Sequence, residues 1–377
     1  MSERVRVAVL GSSAVTHTGR WAAALVARGL EARVWSLEPP REGDPSRFRT
    51  ELLPSLPLPG ALRYPLATPA LKRAFAAFAP QVVCAHFVPN YGLLGVLAGR
   101  RPLVMNAWGS DLLLAKDPLR RARLRWTLAR ADHLRVDAHN LARVARQLGV
   151  PEEKIEVLPW GTEPERFRFA RDRAQRLAAR EKWPETWKRV AGLGPVAAST
   201  RMHHPVYALD TLVAAWPAVT RAVPGARCLV AGDGPLTAAL EARARALGMA
   251  GSMLFVGRLG ASEMALLLEG ADAYVSTSLS DSTSLSLLEA MSAGSYPVVS
   301  AIEGNREWVG DETAFLFPPG DSGALTRGLT RVLGESDRFD PARAANRTTI
   351  ETRGDWNRAM DRVAERARAL AEQGREP

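Results

Sequence analysis

Two textures alternate along the chain. Short apolar runs, each ending on a polar or glycine residue, are separated by longer stretches whose apolar residues recur three and four positions apart. In the first half the short runs are VRVAVLG (5–11), EARVWSL (31–37), QVVCAHF (81–87), PLVMNAWG (102–109), HLRVDA (133–138) and KIEVLPWG (154–161). Runs of this kind, bounded by turn formers, predict strands. GRWAAALVARG (19–29) and DPLRRARLRWTLARA (117–131) have the helical period, and the second opens with Asp117 as N-cap and Pro118 at the first helical position. Apolar strands alternating with helices predict a parallel sheet covered on both faces.

After an Arg-rich segment and the GLGP turn (192–195) the pattern restarts. VAAST, ARCLVAG, SMLFVG, DAYVSTS, YPVVSA and AFLFPPG read as strands with helices between them. The expected fold class is α/β, with two doubly wound, Rossmann-like domains facing each other across a cleft. Residues 1–168 form the first domain, 169–194 a connector and 195–350 the second domain. The tail DWNRAMDRVAERARALAEQ (355–373) carries Trp356, Met360, Val363, Ala367 and Leu370 on one helical stripe. This helix, 355–374 at its widest, is expected to cross back onto the first domain. Ligands of open α/β sheets bind beyond the carboxyl ends of the strands, which places the active site between the domains.

Composition narrows the class. At 377 residues, 46% hydrophobic and 24% charged, the chain is a globular protein long enough for two cores. No apolar run reaches the roughly 20 residues that span a bilayer, and the N-terminus enters a strand pattern directly, so a cytoplasmic location is expected. Cys84 and Cys228 lie inside strand runs and read as buried small hydrophobes, not as a disulfide or metal pair.

The net charge of +10 is uneven: residues 1–168 hold 25 Lys+Arg and 15 Asp+Glu, whereas the remainder balances. Three readings of the basic half stand open: solvated arginine faces, a surface for anionic lipid at the inner face of a membrane, and nucleic acid. Arg120, Arg121, Arg123, Arg125 and Arg130 of one helix concentrate the question. Nucleic acid is set aside, because no recognition motif or aromatic-interleaved basic strand accompanies the charge.

One stretch carries more chemistry than its surroundings. Eight of the eleven residues from Ser276 to Ser286 bear a hydroxyl, and they lead into the apolar LSLLEAM, which holds the acid Glu289. Ser278–Ser284 is then the loop at the carboxyl end of one strand, ahead of a helix whose N-terminal amides suit a phosphate or sugar oxygen. Asp281 is either a helix cap or a ligand of hydroxyls. Glu289 is either a surface acid or, flanked by Leu288 and Ala290, a carboxylate that needs hydrogen-bond donors. GSSAVTHTG lacks the G-x-G-x-x-G spacing, which leaves a dehydrogenase without support.

DSTSLSLLEAM resembles the E-x(7)-E segment of the retaining glycosyltransferases of group 1 (family 4), a family with the GT-B fold. The resemblance covers nearly the whole chain: SSAVTHTGRWAAALVARGLEARV, VVCAHFVPNYGLL, VMNAWGSDLLL, LGVPEEKIEVLPWGTEPERF, RMHHPVYALDTLVAAW, VAGDGP, LFVGRL and GNREWV follow in family order. It implies that Glu289 binds the ribose of a nucleotide diphosphate sugar and that Asp281 contacts the donor sugar. Arg201 grips the diphosphate, aided by the amides of Thr283, Ser284 and Leu285. Gly232 and Gly234 let the chain turn close to the nucleotide, and the backbone near Arg258 packs on the base. Gly11 and Ser12 form the opposing loop. His17 and His86 are acceptor-side candidates, each with a structural role as the alternative. His133 and His139 read as surface residues.

The sequence departs from the family at three places. Asp281 and the serines around it replace the usual E-G-F-G. Val206 and Tyr207 stand where a second cation, a Lys, follows Arg201. Trp108 precedes Gly109-Ser110-Asp111 where a His is common, which makes Asp111 the ionisable group expected near the anomeric centre. The implied reaction is sugar transfer with retention of configuration, without a metal or other cofactor, to a carbohydrate, lipid or small-molecule acceptor. A nucleotide-sugar epimerase and a non-catalytic glycan- or lipid-binding protein are the alternatives.

Overall fold

The computed structural model describes residues 4–40, 48–55, 58, 60–115 and 117–374. The chain divides into two compact units, Met1–Pro159 with Asn357–Pro377, and Trp160–Trp356. Each is a parallel sheet with helices on its faces.

The first unit holds β1 (Arg6–Leu10), β2 (Glu31–Ser36), β3 (Thr50–Leu52), β4 (Val82–His86), β5 (Leu103–Ala107), β6 (His133–Val136) and β7 (Ile155–Val157), in the order β3-β2-β1-β4-β5-β6-β7. All pairings are parallel. The order reverses between β1 and β4, and such a switch point leaves a crevice at the carboxyl ends of both strands. β4 and β5 are buried along their whole length, as strands covered on both faces must be. Asp117 caps the helix Pro118–Leu128 by accepting from the Arg120 amide at 2.7 Å. The final helix, Trp356–Gln373, belongs mostly to this unit: Arg28 donates to the Asp361 carboxylate at 2.7 Å and to the Asn357 carbonyl at 2.9 Å.

The second unit holds β8 (Val196–Ser199), β9 (Arg227–Ala231), β10 (Met253–Gly257), β11 (Ala273–Ser276), β12 (Tyr296–Ser300) and β13 (Phe315–Phe317), ordered β10-β9-β8-β11-β12-β13. Its switch point lies between β8 and β11. Both cysteines are free and buried.

The segment 169–194 is not a connector. It forms the helices Arg173–Arg180 and Glu185–Ala191, packed into the second unit. The physical reason is a buried charge network. Arg176 Nε donates to Asp272 Oδ1 at 3.0 Å, and Arg180 Nη2 donates to Asp272 Oδ2 at 2.6 Å. Arg343, fully buried, adds a bond to the Asp272 carbonyl at 2.7 Å. Trp183 and Trp187 join the core beside them. A run that reads as polar linker is thereby anchored by its arginines. His133 also departs from expectation: it is buried, with Nε2 3.6 Å from Glu156, while His139 is exposed.

Candidate active site

In the second unit, chain segments from both sides of the switch point converge on Arg201. This residue lies just beyond β8, and only 7% of its surface is exposed. Nη1 donates to Ser284 Oγ at 2.6 Å and to Ser286 Oγ at 2.8 Å, and Nη2 donates to Asp281 Oδ2 at 2.5 Å. The Tyr207 ring stacks 4.1 Å from the guanidinium carbon. Burial opposes the Arg201 charge, but the Asp281 carboxylate and the nearby phenol oxygens outweigh it and hold the group firmly protonated. Arg201 Nε, Ser199 Oγ and Thr200 Oγ1 are buried without a hydrogen-bond partner. Unsatisfied polar atoms gathered at strand ends mark a place where a polar ligand compensates them.

The serine-rich stretch turns mostly inward. Ser276, Thr277, Ser278, Ser282, Thr283, Ser284 and Ser286 are buried. Thr277 donates to the Tyr207 carbonyl at 2.7 Å, Ser300 donates to the Ser278 carbonyl at 2.6 Å, and Trp308 Nε1 donates to Thr283 Oγ1 at 3.2 Å. Ser284 also caps the helix Leu285–Ala293 by accepting from the Leu287 amide. Most of these hydroxyls therefore shape the loop. Within the helix only Leu285 and Glu289 are partly exposed, one turn apart and hence on one face. Glu289 is thus neither a core carboxylate nor a freely exposed one.

Glycine is required at the facing turn. Gly232 has φ +120°, and a Cβ there would lie 2.6 Å from the Arg201 carbonyl oxygen; one on Gly234 would lie 2.5 Å from that of His203. The Gly232 amide donates to the Gly257 carbonyl at 2.8 Å, which joins this turn to the end of β10. Arg258 follows there, half-exposed and 3.9 Å from Asp233. His203 closes the turn from below, with Nδ1 2.8 Å from Thr237 Oγ1.

The first unit has its own constellation at the β1/β4 switch point. Gly11 packs against Thr18, where a Cβ would lie 2.9 Å from Cγ2, and Ser12 starts the loop into the helix Thr16–Ala27. A cavity of about 430 Å³ opens beside them, lined by Ser12, His17, Glu38, Tyr64, Tyr91, His86 and Trp108 among others. His86 is fully buried. Its pKa is lowered to about 3, first by burial and then by the charge of Arg135. Trp108 Nε1 donates to His86 Nδ1 at 3.2 Å.

Asp111 does not stand where the sequence reading put it. It has no exposed surface, Oδ2 accepts from the Val88 amide at 3.2 Å, and Oδ1 accepts from the Trp108 amide at 3.0 Å. Burial pushes its carboxyl up to about 6 against the pull of those amides. A carboxylate used up on two backbone amides ties the β4 and β5 loops together. Asp111 is a positioning residue, and a sugar cannot touch it in this arrangement.

Two family models match the chain. Glycosyl transferases group 1 takes residues 195–335, and the glycosyl transferase 4-like domain takes residues 13–161. Together they occupy more than three quarters of the sequence. The chain belongs to the group 1 glycosyltransferases. Among curated relatives, a 2-deoxystreptamine glucosyltransferase of Streptomyces kanamyceticus is 30% identical over 58% of this chain and 55% of its own length. A GDP-mannose-dependent α-(1-6)-phosphatidylinositol monomannoside mannosyltransferase of Mycolicibacterium smegmatis is 27% identical over 80% of each chain. Among solved structures, the sucrose-phosphate synthase of Thermosynechococcus elongatus superposes with TM-score 0.82 at 18% identity, over 98% of this chain and 100% of that one. Anabaena HepE in complex with UDP-glucose gives 0.80 at 17%, over 97% and 100%. These likenesses establish the two-domain GT-B fold.

The two constellations of this glycosyltransferase also contain residues that the local sequence does not mark. Tyr207 was noted only as the missing cation, yet it forms the floor under Arg201. Ser286 and Tyr274 extend the array, their hydroxyls 2.8 Å apart. Glu38, Tyr64 and Tyr91 were not singled out, because nothing in their local sequence distinguishes them. The one available signal was their place just after strand runs or in the following helix.

Proposed function

We propose that this enzyme transfers a sugar from a nucleotide diphosphate donor, held by the second unit, to an acceptor held by the first, with retention and without a metal. The observation that carries the reading is the Arg201 array: a buried guanidinium, two serine hydroxyls and a carboxylate, set at a topological switch point before a helix N-terminus. In the reaction the bond between the anomeric carbon and the β-phosphate oxygen breaks. The acceptor hydroxyl oxygen bonds to the same carbon, and its proton passes to the departing phosphate. Negative charge grows on that phosphate, and stabilising it is the main demand. Arg201 and the amides of Thr283, Ser284 and Leu285 meet it, the helix dipole adding to their effect. Asp281 receives donor-sugar hydroxyls and Glu289 the ribose. Gly232 and Gly234 admit the nucleotide, the backbone near Arg258 packs on the base, and Gly11 with Ser12 serves the phosphates or acceptor. His17 and His86 serve the acceptor. The names of the two curated relatives, one acting on an aminocyclitol and one on a mannolipid, support transfer over epimerisation.

Glu289→Ala tests the donor site by calorimetry across UDP-, GDP- and ADP-sugars. Loss of about tenfold or more in affinity is expected from removing a carboxylate bound to two hydroxyls; unchanged affinity refutes the assignment. Donor incubated alone must not isomerise, which separates transferase from epimerase. Tight binding with no turnover of any donor would instead identify a binding protein.

A second reading concerns the membrane surface. On the helix Pro118–Leu128, Leu119 is 82% exposed and Trp126 42% exposed, and the five arginines of 120–130 make no ion pair among the described residues. No helix of the described residues is long and apolar enough to cross a membrane. Peripheral docking at an anionic inner leaflet predicts salt-sensitive flotation with anionic vesicles, each basic residue contributing about 1 kcal/mol. No flotation at low salt refutes it.

A further inference from the structure

The cavity of the first unit has a composition that narrows what it can hold. It sits beyond the carboxyl ends of β1, β2, β4 and β5, at the point where strand order reverses, which is where open α/β sheets take small ligands. Its volume of about 430 Å³ falls in the range of such sites. Trp108, Tyr64 and Tyr91 supply flat apolar walls.

The polar groups are of a particular kind. An indole N–H can only donate, so the bond from Trp108 Nε1 to His86 Nδ1 places the His86 proton on Nε2. His86 is thereby uncharged and of fixed tautomer, with Nε2 itself buried behind the wall. Glu38 is an acceptor held in place: the Tyr91 hydroxyl donates to it, the Tyr91 oxygen accepts from the Leu37 amide at 2.9 Å, and Arg63 pairs with it at 3.1 Å. Arg63 also donates to Ser55 Oγ through Nε and to the Leu37 carbonyl through Nη2. Among the described residues lining the cavity there is no Lys or Arg. The positive excess of the first half does not extend to these walls.

We infer that this cavity receives a polyol ring bearing no phosphate, plain or amine-substituted, as the acceptor of the reaction. Aromatic walls cover the C–H faces of such a ring, while the fixed acceptor of Glu38 reads its hydroxyl rim. A ring phosphate would face the Glu38 carboxylate, and phosphate recognition calls for a guanidinium or ammonium fork that these walls do not offer. The N-terminus of the helix Thr16–Ala27 also reaches the cavity through Ser12 and Val15, an edge that the proposed function gives to the phosphates or the acceptor. The inference rests on that reading and extends it to the acceptor.

The test uses the full chain and saturation-transfer NMR with three probes: myo-inositol, 2-deoxystreptamine and myo-inositol 1-phosphate. Both phosphate-free rings are expected to bind at least about tenfold more tightly than the phosphate, since opposing like charges is unfavourable. Glu38→Gln is expected to weaken the amine-bearing ring more than the plain one. Asn90→Lys, which adds a cation at the half-exposed rim, is expected to raise phosphate binding toward that of the plain ring. Equal or tighter binding of the phosphate by the unaltered chain overturns the inference, as does failure of any ring to bind. Ring binding that survives Trp108→Ala unchanged also overturns it. Should a variant melt early, the three probes on the unaltered chain decide alone. Nucleotide-sugar binding is measured separately by thermal shift. A chain that holds nucleotide sugar but prefers the phosphorylated ring sinks only this inference, whereas one that holds rings but no nucleotide sugar sinks the proposed function.

Discussion

Replacing Asp281 by Asn should make nucleoside diphosphate bind more tightly, although the proposed function gives Asp281 to the donor. In the structure all the hydrogens on Arg201 Nη1 are engaged by Ser284 and Ser286, and Nη2 is paired with Asp281. Nε has no partner, so a diphosphate that spans Nε and Nη2 competes with the carboxylate for Nη2. With a whole nucleotide sugar the displaced Asp281 finds new donors in the sugar hydroxyls; with the diphosphate alone it does not. Removing one partner of a buried pair costs about 3–5 kcal/mol, and Asn, which keeps a neutral hydrogen bond to Nη2, should forfeit about 2 kcal/mol of that. The ligand-free variant should therefore melt roughly 4–8 °C lower. A bound diphosphate restores the missing charge, so most of the 2 kcal/mol reappears as affinity, a gain of roughly 10- to 30-fold. Turnover of the nucleotide sugar moves the other way, because the sugar loses an ionised acceptor, and kcat/KM should fall about 100-fold. Titration calorimetry with the diphosphate, beside initial rates with the matching donor, measures both. A diphosphate affinity that is unchanged or weaker in Asp281→Asn refutes the exchange. Asp281→Glu should restore the ordinary ranking.

Three further outcomes follow from other parts of the molecule. Gly232→Ala combines a positive φ with a Cβ 2.6 Å from the Arg201 carbonyl, and should cost about 3 kcal/mol in denaturant unfolding while weakening nucleotide binding; a neutral result would mean that the turn is more pliant than drawn. His86, lowered to about 3, binds fewer protons folded than unfolded between its ordinary 6.5 and that value. Stability therefore falls as pH drops through this window by about 1.4 kcal/mol per unit for this residue. Asp111, raised to about 6, acts in the opposite sense, its contribution being full below about 4 and lost as pH rises through 6. The difference in Tm between His86→Gln and the unaltered chain should shrink steadily from pH 7 to 4, and a difference constant with pH would exclude a neutral buried histidine. Asp272→Asn should destabilise the second unit by about 3–5 kcal/mol by leaving Arg176 and Arg180 short of charge, with the donor KM unchanged in protein still folded; a fully stable variant would show the network to be dispensable.

The order of strands and helices, the restart of the pattern near residue 195 and the serine-rich loop ahead of the helix Leu285–Ala293 were all legible in the sequence. Each depends on local periodicity: runs that suit strands covered on both faces, Asp117 and Ser284 at helix starts, glycines where the backbone must turn. The short edge strand Thr50–Leu52 left no such trace, since three residues set no period. The segment 169–194 was misread for a related reason. Its arginines look like solvent-facing charge until Asp272, some ninety residues away, arrives to pair with two of them.

Tertiary structure alone decided how the ionisable groups are used. Asp111 and Asp281 are both acids a few residues beyond a strand, and their neighbours in sequence do not tell them apart. One is sealed against the amides of Val88 and Trp108, while the other meets a guanidinium from across a switch point. Likewise, nothing near Tyr207 announces that its ring will carry Arg201, nor anything near Glu38 that Tyr91 will hold it. Local sequence determines which backbone conformations and buried faces are available, because those energies are summed over near neighbours. The charge state and reach of a side chain are set by dielectric and by partners brought from distant strands, and these exist only once the sheet has closed.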